Sequence, residues 1–174
     1  QSPNLASGQI ETRNGVTVSS VVLEDEEARR AFGVDLGTRQ IRAVWLEIRN
    51  ETDEMLHLLP SSLDPDYFSQ NEAAYRFHSA FKPKQNLRMS EHFHSLAIRK
   101  DVSPGEIVSG YVLVNRHRGG RFLVVELAGD ETLHRFDFMF TLPDGTFDFE
   151  TVDFETLYSV EEQRDVDLIE LKSW

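Results

Sequence analysis

The chain has 174 residues, of which 40% are hydrophobic, 12 are Phe and none is Cys. That length supports one domain with a substantial core, and the missing cysteines exclude disulfides, thiol nucleophiles and zinc–thiolate sites. The formal net charge is −12, from 30 acidic against 18 basic residues. It opposes a nucleic-acid backbone or an anionic lipid surface as partner, since both call for a basic face, and it suits a cationic partner.

Residues 1–9, QSPNLASGQ, are polar and small. They read as a flexible lead-in, as would follow a cleaved signal or a membrane anchor. Residues 10–174 read as a single domain with no internal repeat. Nowhere does the chain reach the ~18 consecutive apolar residues of a membrane helix. From Ile10 to Leu23 the β-branched residues alternate, and Asn14-Gly15 marks a turn within this strand chemistry. EDEEARRAFG follows, with acids leading, arginines trailing and Gly33 closing it. This order complements a helix dipole and predicts a short helix from Asp25 to Phe32.

IRAVWLEIRN alternates again, with Ile41, Ala43, Trp45 and Glu47 on one face and Val44, Leu46 and Ile48 on the other. Asn50 to Glu54 is a polar turn, and MLHLLP makes the next strand. The period then changes. Ser69 followed by Glu72 has capping-box spacing, and Ala73, Phe77 and Phe81 recur as one helical face. Met89, Phe93, Leu96 and Ala97 define a second. Helices are expected near 70–80 and 86–97, forming an insertion near 69–97. After it the chain returns to strands: a Pro104-Gly105 turn, then IVSGYVLVN, a hairpin tip at HRGG, RFLVVELAG and LHRFDFMFTL. PDG at 143–145 turns into TFDFETVDF, and the acidic tail keeps Leu168, Ile169, Leu171 and Trp174 as apolar points. Phe136, Phe138, Phe140, Trp45, Val112 and Val124 are assigned to the core. Closely spaced strands with hairpin signals and a helical insertion predict a mainly β chain. The architecture is an antiparallel immunoglobulin-like β-sandwich with two or three inserted helices, and a closed barrel is the alternative.

Candidate chemistry centres on His92 and His94, with Glu91 beside them. On a strand the two histidines share a face; on a helix they point about 200° apart and cannot chelate together. The helical period of this stretch opposes a metal site. Asp64 and Asp66, and Asp144, Asp148 and Glu150, lack the calcium-loop pattern and fit turns. No nucleophile-elbow or phosphate-loop motif exists, and no cofactor is indicated. Asn50-Glu51-Thr52 has the glycosylation pattern, yet a strand-to-turn role suits Asn50 better. Arg116, His117, Arg118 and Arg121 form the one basic cluster. The arginines are candidates for partner contact, with a solvated loop tip as the plainer reading. Tyr75 and Phe81 are candidates as well, should the insertion present an apolar cleft in place of capping the sandwich.

Three stretches carry a resemblance: VVLEDEEARRAFGVDLGTRQIRAVWLEIRNET, LPSSLDPDYFSQNEAAYRFH and VSPGEIVSGYVLVN. Together they resemble the C-terminal domain of LssY-like bacterial envelope proteins, and the wider group of immunoglobulin-like sandwiches in bacterial lipoproteins. WLEIRNETDEMLHL matches a hydrophobic–N-x-T–hydrophobic pattern, and Pro104, Gly105 and Gly110 match a Pro-Gly turn leading into a strand. The resemblance implies an extracytoplasmic module, periplasmic or associated with the outer envelope, and transfers no catalytic residue. The expected function is a non-catalytic binding or structural module whose partner is an unknown protein or envelope component. The alternative is a metal-dependent or acid–base enzyme using His92, His94 and Glu91.

Overall fold

Two antiparallel sheets of four strands face each other, and helices cover the outside of the first. The computed structural model describes residues 8–63, 67–116 and 120–141. The chain opens with β1 (Gln9–Arg13) and β2 (Val16–Val22). Asn14 and Gly15 join them with φ of 49° and 76°, as a two-residue hairpin with positive φ at both positions demands. Then come α1 (Asp25–Phe32), β3 (Ile41–Asn50) and β4 (Leu56–Leu58). The insertion comprises α2 (Pro60–Leu63), α3 (Gln70–Tyr75) and α4 (Pro83–Leu96). β5 (Asp101–Val102), β6 (Ile107–Asn115), β7 (Gly120–Ala128) and β8 (Leu133–Thr141) complete it.

The first sheet has the order β1-β2-β3-β6 and the second β5-β4-β7-β8. With β1 set aside, strands one, two and five of the remaining seven form one sheet. Strands four, three, six and seven form the other. This is an immunoglobulin-like sandwich whose fourth strand has joined the second sheet. No disulfide ties the sheets; packing does. Val18, Val44, Leu46, Ile48 and Val112 of the first sheet meet Leu123, Val125, Phe136 and Phe138 of the second.

β3 is buried on both faces. Ile41, Ala43 and Trp45 pack outward against Phe32, Phe77 and Phe93. The two alternating faces read in its sequence therefore belong to two separate cores. α1 spans the expected residues, and Gly33 closes it at φ 73°. The Pro104-Gly105 turn likewise forms, with Gly105 at φ 74° and a bond from Glu106 N to Ser103 O.

Several expectations need correction. HRGG is not a hairpin tip, because β6 pairs with β3 and β7 pairs with β4 and β8. The strands on either side of it belong to different sheets, and alternation marks strands without naming their partners. Val124 is only half-buried; Leu123, Val125 and Leu127 hold the inward positions of β7. Phe81 is 40% exposed and leaves the Ala73–Phe77 face. α3 stops at Tyr75, a 3-10 turn at His78–Ala80 replaces it, and the helical register is lost between them. The insertion also begins earlier than 69, at Pro60. The acidic candidates at 64, 66, 144, 148 and 150, and the strand and tail from residue 142 onward, lie outside the described residues.

Candidate functional site

The connection from β4 to β5 runs along the outer edge of β6. Phe68 N donates to Leu113 O at 2.9 Å, and Ile98 N donates to Tyr111 O at 3.3 Å. Phe68 bridges Leu113 and Ala97 bridges Tyr111, so that edge is closed to a further strand along this stretch. The second crossing is close. A Cβ on Gly110 would lie 2.5 Å from Ile98 N and 2.8 Å from the Ala97 carbonyl carbon. Only glycine admits the Ala97–Ile98 backbone there.

Between these crossings opens a cleft of about 460 Å³. Leu58, Leu63, Ile98 and Val112 reach it from the core between the sheets, and Phe68 and Leu113 from the core beneath the helices. The cleft is thus the seam where the two cores meet. Ser69 caps α3 by accepting from Glu72 N at 3.2 Å, which sets Gln70 and Asn71 on the rim. Gln70 Nε2 donates to Tyr111 O at 3.0 Å. A carbonyl only accepts, so this bond fixes which end of the amide is which. Its Oε1 is buried and has no hydrogen-bond partner among the described residues.

Among the described lining residues, His94, Arg99 and Lys100 are basic and none is a carboxylate. Arg99 is engaged with Glu106. The guanidinium, then the Ser103 backbone, holds the Glu106 carboxyl below the usual range. Burial, then the Glu27 carboxylate, pushes the Tyr111 phenol up.

His92 and His94 are not brought together. His92 Nε2 donates to Ala31 O at 2.7 Å and ties α4 to the end of α1. His94, two residues on, lines the cleft. Glu91 lies exposed on α4, and no group of three His, Asp or Glu that could hold a metal exists among the described residues. His78 is half-buried, with Nε2 3.3 Å from Ser90 Oγ. Arg116 is folded back, paired with Asp25 at 2.8 Å. Arg118 lies outside the described residues. Arg121 is placed by its backbone, opposite Phe140. Tyr75 is 71% exposed and stacks edge-on with His78; neither it nor Phe81 lines the cleft.

Phe77 and Phe93 are buried and cap the outer face of the first sheet, as the helical spacing implied. Asn50, in the glycosylation pattern, is fully buried. Its Nδ2 donates to Glu54 O and Val102 O, and its Oδ1 accepts from Thr52 N and Thr52 Oγ1. Of the lining residues, Gln70 and Lys100 carry no motif signal, and the sequence singles out His94 only beside His92. Only their convergence from three segments makes them a site.

No family model matches this chain, and no curated protein matches it. A solved structure, the GAE domain of GGA2p from Saccharomyces cerevisiae, is similar at 8% identity with a TM-score of 0.36. The match covers 79% of this chain and 98% of that one.

Proposed function

We propose that this chain is a non-catalytic binding module, carried by a bacterial envelope protein, whose ligand enters the lateral cleft. The observation that carries the binding reading is the cleft itself. A cavity of about 460 Å³ lined by both cores, with a few polar groups at its rim, has the size and chemistry of a small-molecule site. The Oε1 of the lining residue Gln70, buried and without a partner among the described residues, supports it, because natural cores rarely leave an acceptor unanswered. The envelope reading rests on the sequence resemblance.

The neutral apolar dye Nile red tests the cleft. Its emission is expected to rise and shift to the blue with the folded protein. Ala97→Phe, which narrows the cleft from a half-buried lining position, is expected to remove the signal with circular dichroism unchanged. A signal that Ala97→Phe leaves intact would place the dye elsewhere and remove the support for this reading. Fractionating cells that carry the full reading frame tests the location; recovery with cytosolic markers would exclude the envelope.

A further inference from the structure

The cleft narrows its ligand class, and this step rests on the binding reading above. The chain carries 30 acidic against 18 basic residues. Yet the charged side chains described in the cleft wall are basic. Arg99 is neutralised by Glu106. That leaves Lys100 and His94 at the rim, and neither side chain makes a hydrogen bond or ion pair among the described residues. Below them the wall is apolar, formed by Leu63, Phe68 and Val112. An apolar slot under a rim that is basic among the described residues is complementary to a molecule with an alkyl or aryl body and an anionic head. The body removes apolar area from water, and the head answers the cation at the mouth.

We propose that the cleft binds an anionic amphiphile, a single apolar chain ending in a carboxylate or similar acid, with its head at Lys100 and His94. The acidic surface sharpens the selection. A net charge of −12 repels anions in general, so a local attraction at this rim stands out against the rest of the surface.

Three ten-carbon probes, decanoate, decanol and decylamine, test it by NMR titration of the full chain below their aggregation concentrations. Decanoate is expected to shift amide signals of Phe68, Gln70 and Val112, and to bind about three- to tenfold more tightly than decanol. Lys100→Glu is expected to abolish that preference, read as the ratio of decanoate to decanol affinity in the same variant. Rim residues are exposed, so this variant is expected to fold, and a matching spectrum checks it. Equal binding of all three probes at the cleft, or preference for decylamine, would overturn the anionic selection and leave the cleft reading standing. If no probe perturbs the cleft signals, both readings fail together.

Discussion

Replacing Asn50 with alanine tests how the β3–β4 turn is held. The side chain is fully buried and makes four hydrogen bonds: to Glu54 O at 2.8 Å, Val102 O at 3.0 Å, and from Thr52 N at 3.0 Å and Thr52 Oγ1 at 2.6 Å. Their loss is unequal. Thr52 sits at the partly exposed turn, so its donors can turn to water. Glu54 O keeps a longer contact with Thr52 Oγ1 at 3.4 Å. Val102 O lies against a fully buried residue on a two-residue strand. Leaving that acceptor unanswered costs about 1–3 kcal/mol, and each other lost bond about 0.5–1.5. The expected loss for Asn50→Ala is about 3–4 kcal/mol. Urea unfolding followed by the fluorescence of buried Trp45 measures it. Asn50→Asp keeps the shape but sets a carboxylate oxygen against two carbonyls, so the folded state favours the protonated acid. Its folded pKa then lies above the unfolded value of about 3.9. Stability falls as pH rises through the interval between the two, and the deficit against wild type is larger at pH 7 than at pH 4. An Asn50→Ala loss under 1 kcal/mol at unchanged urea slope would refute the account, showing that the turn holds without its amide.

Phe138→Ala is expected to cost about 3–5 kcal/mol in the same assay, since the ring is fully buried between the sheets. Gly110→Ala is expected to destabilise by about 1–3 kcal/mol or more, because the added carbon meets backbone of Ala97 and Ile98. It should also disturb cleft signals ahead of those of the second sheet, which an NMR spectrum reads. Asp35, held by Arg29 at 2.6 Å, and Glu106, held by Arg99, both have lowered carboxyl pKa values. A depressed carboxyl stabilises above its unfolded pKa and loses that contribution as pH falls through its folded value. Acid titration of stability should therefore show a loss below about pH 4 that is smaller in Arg29→Gln, and smaller again at high salt.

Local chemistry legible in the sequence formed as written. The acid-to-arginine order and Gly33 made α1, Ser69 capped α3, and Asn14-Gly15 and Pro104-Gly105 made their turns. Each depends on a few neighbouring residues, so no distant contact was needed to decide it. The two faces of β3 were also legible, because period two survives even where both faces are buried. Partnership was not. Nothing in RHRGGR says that β6 and β7 belong to different sheets, since a crossover and a hairpin draw on the same turn residues. Nor does periodicity show that the helix through Ala73 stops at Tyr75, before Phe77 and Phe81. The cleft is the extreme case: Gln70, His94 and Lys100 stand on three separate segments, and only the packing of those segments on the β6 edge sets them round one cavity. Sequence determines conformation where the forces are local. Tertiary structure decides which surfaces meet, because that choice minimises exposed apolar area over the whole chain at once.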